Sequence, residues 1–119
     1  MRIEIRGRNV EMTDDLREMV RKRFQRLGRQ VSALATLEVV LSEERNPSIA
    51  DKHVAEATFY LKGVTLHARE VSPEMTHTVR ELAEDVRRQV KKHRDLRRKR
   101  SKTRHLVDQM RGRPAELHP

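Results

Sequence analysis

Apolar and polar positions alternate over residues 2–8. Ile3 and Ile5 fall on one side, with Arg2, Glu4 and Arg6 on the other, the period-two pattern of a half-buried strand. Gly7 and Asn9 mark a bend. The period then lengthens. Leu16, Val20, Phe24 and Leu27 recur at helical spacing, with Met19 on the flank. Thr13 is placed to cap this helix, and Asp14 and Asp15 stand in its first turn, where the helix dipole favours anions. Gly28 is expected to end it, because glycine readily takes the left-handed dihedrals common at helix C-termini.

Leu37, Val39 and Leu41 predict a second strand, and residues 43–51 a loop with Asn46-Pro47 as its turn initiator. Residues 53–61 predict a third strand, with Ala55, Ala57, Phe59 and Leu61 on one face. Lys62-Gly63 fits a two-residue hairpin turn, and Val64, Leu66 and Ala68 continue that face on a fourth strand. Ser72-Pro73-Glu74 is the sharpest boundary: serine caps, proline suits the first helical position, and glutamate favours the first turn. Met75, Val79, Leu82, Val86, Val90 and His93 then follow one stripe. The second helix should run to about residue 100, a length of about 40 Å. Residues 101–119 carry Gly112, Pro114 and Pro119 with little apolar pattern and read as a basic flexible tail.

The predicted fold class is α+β, in the order β-α-β-β-β-α. The helical first crossover permits a parallel pair, and the short later connections imply antiparallel ones. Residues 1–100 would form one domain, a four-stranded sheet with both helices packed on one face.

Charge sharpens this picture. The 119 residues carry a net +9, but residues 1–86 hold 14 Lys or Arg against 15 Asp or Glu, whereas residues 87–119 hold 13 against 3. A near-neutral body with a concentrated basic end is the footprint of a polyanion binder. From Arg87 to Arg104 stand Arg87, Arg88, Lys91, Lys92, Arg94, Arg97, Arg98, Lys99, Arg100, Lys102 and Arg104, opposed only by Asp95. Cations favour a helix C-terminus in any case, which would explain one or two of them. Eleven in eighteen residues favour nucleic acid, where each phosphate neutralised releases condensed counterions. The first helix adds Arg17, Arg21, Lys22, Arg23, Arg26 and Arg29, with Arg23 and Arg26 on a common side of its buried stripe. Taken singly, each is as well explained as a solvated surface charge; beside the basic second helix, Arg23 and Arg26 extend its patch.

Other chemistries find little support. The absence of cysteine removes disulfides, thiolate metal sites and cysteine nucleophiles. His53, His67, His77, His93, His105 and His118 show no close helical ligand spacing, although His53 and His67 are candidates to meet across strands as a surface pair. His93, on the apolar stripe, reads as a packed or boundary residue. There is no phosphate loop, no GxSxG and no catalytic constellation, so neither an enzyme nor a bound cofactor or metal is expected. No apolar run approaches 18 residues, and the N-terminus alternates like a strand instead of forming a secretory leader. Of the aromatics, Phe24 and Phe59 fall on core faces and only Tyr60 faces away. Without a stacking platform, binding should depend on backbone and shape.

Arg6-Gly7-Arg8-Asn9-Val10-Glu11-Met12-Thr13, then Leu16-Arg17 and Arg23-Phe24…Arg26-Leu27, resembles the opening of the ribosome hibernation promoting factor family, which includes ribosome-associated inhibitor A (protein Y). Leu61-Lys62-Gly63-Val64-Thr65-Leu66-His67-Ala68 is similar to its third hairpin, and Arg88-Gln89-Val90-Lys91-Lys92-His93-Arg94 to the basic signature of its last helix. The resemblance spans about residues 2–98, in register. It implies a fold related to double-stranded RNA-binding domains with one added strand. It also implies a cytoplasmic protein of resting cells that inhibits translation by occupying the decoding channel of the small ribosomal subunit, over the messenger and transfer RNA sites. The implied partners are that subunit and its ribosomal RNA, with no small-molecule substrate or membrane, and a monomer off the ribosome. Carried over onto matching positions, the RNA contacts are Arg23 and Arg26 in the first helix and Arg88, Lys92 and Arg94 in the second. Charge position adds Arg87, Lys91, Arg97 and Arg98.

Three departures stand out. A family lysine falls at Asp85, with Arg87 the candidate to replace it; Gln30 and Val31 replace an aromatic pair; and the last helix is unusually basic. The chain resembles the short forms, which lack the second, dimerising domain. Two rival readings follow from the residues alone. A general double-stranded RNA module would be expected to carry cations at the start of its last helix, where this chain has Ser72-Pro73-Glu74. A basic amphipathic helix for a partner protein or anionic surface would be expected to offer Trp or Phe anchors, and the second helix has none.

Overall fold

The computed structural model describes residues 1–117, with side-chain detail through residue 110. Its elements are β1 (Arg2–Arg8), α1 (Asp14–Phe24), a 3-10 turn (Gln25–Arg29), β2 (Thr36–Glu43), β3 (His53–Leu61), β4 (Val64–Ser72) and α2 (Met75–Leu117). The four strands form one mixed sheet in sequential order. β1 and β2 are parallel, as the helical crossover permits, and the other pairs are antiparallel. This is the α+β class expected.

Register puts the alternation to use. Ile5, Val39, Ala57 and Ala68 face one another across the sheet, as do Ile3, Leu37, Phe59 and Leu66. This is the covered face: Leu37, Val39, Leu41, Ala55 and Phe59 are fully buried, as are Val20 and Phe24 of α1 and Val79 and Leu82 of α2. The opposite face is polar. Arg6 pairs there with Glu4 and Glu38 at 3.9 and 3.7 Å, Arg69 pairs with Glu56 at 3.6 Å, and Tyr60 is 47% exposed. Such exposed pairs contribute at most about 1 kcal/mol each.

Local chemistry fixes the connections. A Cβ at Gly7 would lie 2.5 Å from Met12 Cγ and 2.9 Å from the Val10 carbonyl oxygen, so the bend after β1 requires glycine. Asn9 follows with φ 57, and its Oδ1 accepts from Arg45 at 2.7 Å, tying this bend to the β2–β3 loop. Thr13 caps α1, its Oγ1 accepting from the Leu16 N–H at 3.1 Å. Gly63 takes φ 80 in the hairpin turn. At the head of α2, the Ser72 hydroxyl accepts from the Glu74 N–H at 3.2 Å. The fully buried Thr78 hydroxyl lies 2.9 Å from the Glu74 carbonyl, 3.2 Å from the His53 carbonyl and beside Ser72 Oγ, which ties α2 to β3.

Three expectations need correction. α1 ends at Phe24, and the chain tightens into the 3-10 turn instead of stopping in a left-handed Gly28. The Gln30 N–H closes that turn on the Leu27 carbonyl at 3.0 Å, so the terminal carbonyls are met without a positive φ, and Leu27 is drawn in to 3% exposure. α2 continues to Leu117 past the expected end near residue 100, so residues 101–117 are helical where the sequence pattern suggested a tail. No Gly or Pro interrupts residues 74–111, and Arg, Lys, Gln, Leu and Met all favour helix, so the apolar pattern ends without the helix ending. Residues 118 and 119 lie outside the described residues. Finally, the two-residue turn pairs Leu61 with Val64, which sets His67 opposite Thr58 and His53 opposite Ser72. The two histidines therefore point to opposite faces and form no pair.

The chain divides into two compact units, the first spanning Met1–Arg88 and the second beginning at Gln89.

Candidate nucleic-acid interface

In the first unit the cations of α1 and α2 converge. Met19, Lys22, Arg23, Arg26, Leu27 and Gln30 sit at intervals of three and four residues and so share one face of α1 and the 3-10 turn. Arg80, Ala83, Glu84 and Arg87 share one face of α2 by the same spacing. These two faces line a groove of about 440 Å³. Leu27 is buried at its base, Met19 and Ala83 are half-buried, and the cations are exposed. Arg21, Lys22 and Arg23 also stand in the last turn of α1, where the helix dipole favours positive charge.

The groove is electrostatically one-sided. Five of its lining side chains are cationic and one, Glu84, is a carboxylate. Glu84 is ion-paired with Arg87, three residues on. Among the described residues, Lys22, Arg23, Arg26 and Arg80 make no ion pair. Cations held this close repel one another, and an anion in the groove relieves that repulsion.

The sequence-derived candidates separate into groups. Arg23, Arg26 and Arg87 are brought together around the groove. Arg88 is exposed in the same unit but outside the lining. Lys91, Lys92, Arg97 and Arg98 are exposed in the second unit, and Arg94 there is half-buried, its Nε enclosed without a hydrogen-bond partner. His93, half-buried with Nε2 likewise enclosed, has the boundary placement its stripe position suggested. From Asp95 to Met110 every residue is exposed. Arg17 does not join the groove: its guanidinium donates to the Ile5 carbonyl at 3.2 Å and fastens α1 to β1.

Sequence reasoning did not single out Arg80, and left Lys22 among the general surface charges. The signal for Arg80 was its spacing: seven residues before Arg87, it repeats the same helix face. Among the described residues, no group of three or more His, Cys, Asp or Glu is placed to hold a metal ion, and no helix is long and apolar enough to cross a membrane.

A mixed four-stranded sheet and two helices with a cation-lined groove between them define a small α+β protein. Residues 3–98 match the family described as sigma 54 modulation protein / S30EA ribosomal protein, and the chain belongs to that family. It is similar to the ribosome hibernation promoting factor of Acinetobacter guillouiae, with 29% identity over 101 residues covering 81% of this chain and 89% of that protein. Similarity to the ribosome hibernation promoting factor of Escherichia coli strain K12 is 32% over 95 residues, covering 80% of this chain and 95% of that one. Among solved structures, the N-terminal domain of Thermus thermophilus Protein Y superposes with a TM-score of 0.68 at 29% identity, covering 78% of this chain and 99% of that chain.

Proposed function

We propose that this protein is a ribosome hibernation factor that binds the decoding channel of the small ribosomal subunit and silences translation by occupying the messenger and transfer RNA sites. The observation that carries this reading is the groove, where α1 and α2 present five cations from one folded unit. Family membership supports the ribosome as the partner, through relatives named for hibernation. The mechanism is occlusion. The folded body fills space that RNA substrates need, and Arg23, Arg26, Arg87, Arg88, Lys91, Lys92, Arg94, Arg97 and Arg98 neutralise ribosomal RNA phosphates. No bond is made or broken, so the protein acts by binding and without a cofactor. It works in the cytoplasm, where ribosomes are, as a monomer until bound. Residues 1–100 supply the ribosome-binding domain, and the basic helical stretch that follows settles on RNA as an extension of α2.

The polar sheet face supports a one-sided contact. Its cations Arg2, Arg6 and Arg69 are ion-paired with Glu4, Glu38 and Glu56, which weakens the attraction of this face for phosphate. The test is co-sedimentation of the purified chain with separated small and large subunits, at low and physiological salt, with and without bound initiator transfer RNA. Saturable binding to small subunits alone, blocked by that transfer RNA, is expected. Equal binding to both subunits that disappears with salt would contradict it.

A further inference from the structure

The groove between α1 and α2 contains more than phosphate binding requires. Phosphates need only exposed cations, because backbone contacts position a nucleic acid without reading it. Here the cations surround an apolar base of Leu27, Met19 and Ala83, and Leu27 is only 3% exposed. The lining also includes the amide of Gln30 and the carboxylate of Glu84. A carboxylate is a poor neighbour for phosphate but a good acceptor for an exocyclic amino group of a base, and an amide can both donate to and accept from a base edge. A volume of about 440 Å³ lies within the roughly 300–1,000 Å³ of sites that hold small molecules.

We infer that this groove seats a single unstacked nucleotide, its base on Met19 and Ala83 above the buried Leu27 and its phosphates on Lys22, Arg23, Arg26 and Arg80. The proposal rests on the RNA-binding reading above and makes it more specific. A paired duplex keeps its bases stacked and offers the groove only backbone, whereas a bulged or single-stranded nucleotide can be splayed out against a protein surface. Methionine suits such a floor, since its polarisable sulfur makes favourable contacts with aromatic rings. The neighbouring guanidiniums can stack on the base as well as pair with phosphate. The protein therefore recognises RNA partly by finding an unpaired nucleotide, although it lacks an exposed aromatic platform on α1 or α2. An acidic peptide is the other polyanion the cations could hold. The Glu84 carboxylate disfavours it, and an apolar floor rimmed by base-edge partners has no use for its side chains.

The experiment compares the full chain's affinity for two end-labelled RNA hairpins by fluorescence anisotropy. One hairpin is fully paired and the other carries a single unpaired nucleotide. The bulged hairpin should bind about ten-fold tighter, and an abasic site at the bulge should remove the gain, as expected if base stacking contributes on its usual scale. Ala83→Phe, which fills the groove from the surface side, should abolish the preference for the bulged hairpin. Arg80→Gln, which leaves the floor untouched, should weaken binding to the bulged hairpin and keep thermal unfolding unchanged. If the Ala83→Phe chain fails to fold, the abasic and Arg80→Gln comparisons still decide. A saturating nucleoside monophosphate separates two sources of the same chemistry. Loss of the bulge preference in its presence would assign the seat to free nucleotides as well, and a retained preference would assign it to RNA alone; either supports the seat. Equal, salt-dependent affinity for both hairpins would overturn the nucleotide seat while leaving the RNA-binding reading in place. Failure to bind either hairpin would overturn the nucleotide seat, and failure to bind small subunits as well would overturn the RNA-binding reading. Displacement of the bulged hairpin by oligoglutamate, with the paired hairpin unaffected, would reassign the groove to acidic peptide.

Discussion

Val79, Leu82, Val86 and Val90 are no more than 2% exposed, whereas Leu96, Leu106, Val107 and Met110 are 38% to 68% exposed, and all eight stand on α2. The two stretches have the same secondary structure for different reasons. The first is held by burial, with the Ser72–Thr78 hydroxyl pair tying its start to β3. The second has only helix propensity and local contacts, such as the Thr103 hydroxyl donating to the Lys99 carbonyl at 3.0 Å. It also carries like charges three and four residues apart, which oppose the helix when nothing is bound. Under the proposed function, counterion release on binding RNA would favour the bound state. One helix thus holds a covered stretch fixed by packing and an uncovered stretch fixed by its own propensity.

Core substitution should show the largest effect. Phe59→Ala, at a side chain with no exposure, should cost about 3–5 kcal/mol in urea denaturation. Leu106→Ala, at 58% exposure, should stay within about 0.5 kcal/mol. A large loss at Leu106 would show that it packs in solution and would break the comparison. Gly7→Ala comes next. Its new Cβ meets the Val10 carbonyl at 2.9 Å, a backbone atom that cannot move cheaply, and a loss of about 1–3 kcal/mol is expected by the same measurement. Thr78→Val keeps the shape but removes a buried hydroxyl from the His53 carbonyl and Ser72, for about 1–2 kcal/mol. A neutral result there would mean that packing alone sets the start of α2.

The smallest effect belongs to the second stretch. Raising salt shortens the screening length from about 10 Å at 0.1 M to about 3 Å at 1 M. Far-ultraviolet circular dichroism should then show a modest gain in helix, because like charges along α2 repel less. No gain would mean that repulsion does not limit this helix.

Much of the fold was legible because period alone distinguishes its elements. The two-residue alternation gave all four strands, Lys62-Gly63 gave the hairpin, and Thr13 gave the start of α1. The end of α1 was not legible, because Gly28 marks a C-terminus only if it turns left-handed, and a 3-10 turn made that unnecessary. The length of α2 was underestimated for a related reason: apolar periodicity reports what is covered, and an uncovered helix leaves no such trace. The separation of His53 from His67 could have been derived, since a two-residue turn fixes every pairing in β3 and β4. Of the candidate site, Arg23, Arg26 and Arg87 could be read singly from charge and resemblance. Their meeting with Lys22 and Arg80 around an apolar floor required the packing of α1 against α2 within the first unit.

The most direct test is the salt dependence of binding to small ribosomal subunits, measured for the parent chain and for the triple groove variant Arg23→Ala, Arg26→Ala, Arg87→Ala. Weaker binding is expected, with the slope of log affinity against log salt flatter by roughly one unit for each phosphate that the variant no longer neutralises. Unchanged affinity and slope would contradict it and place the binding surface elsewhere on the chain.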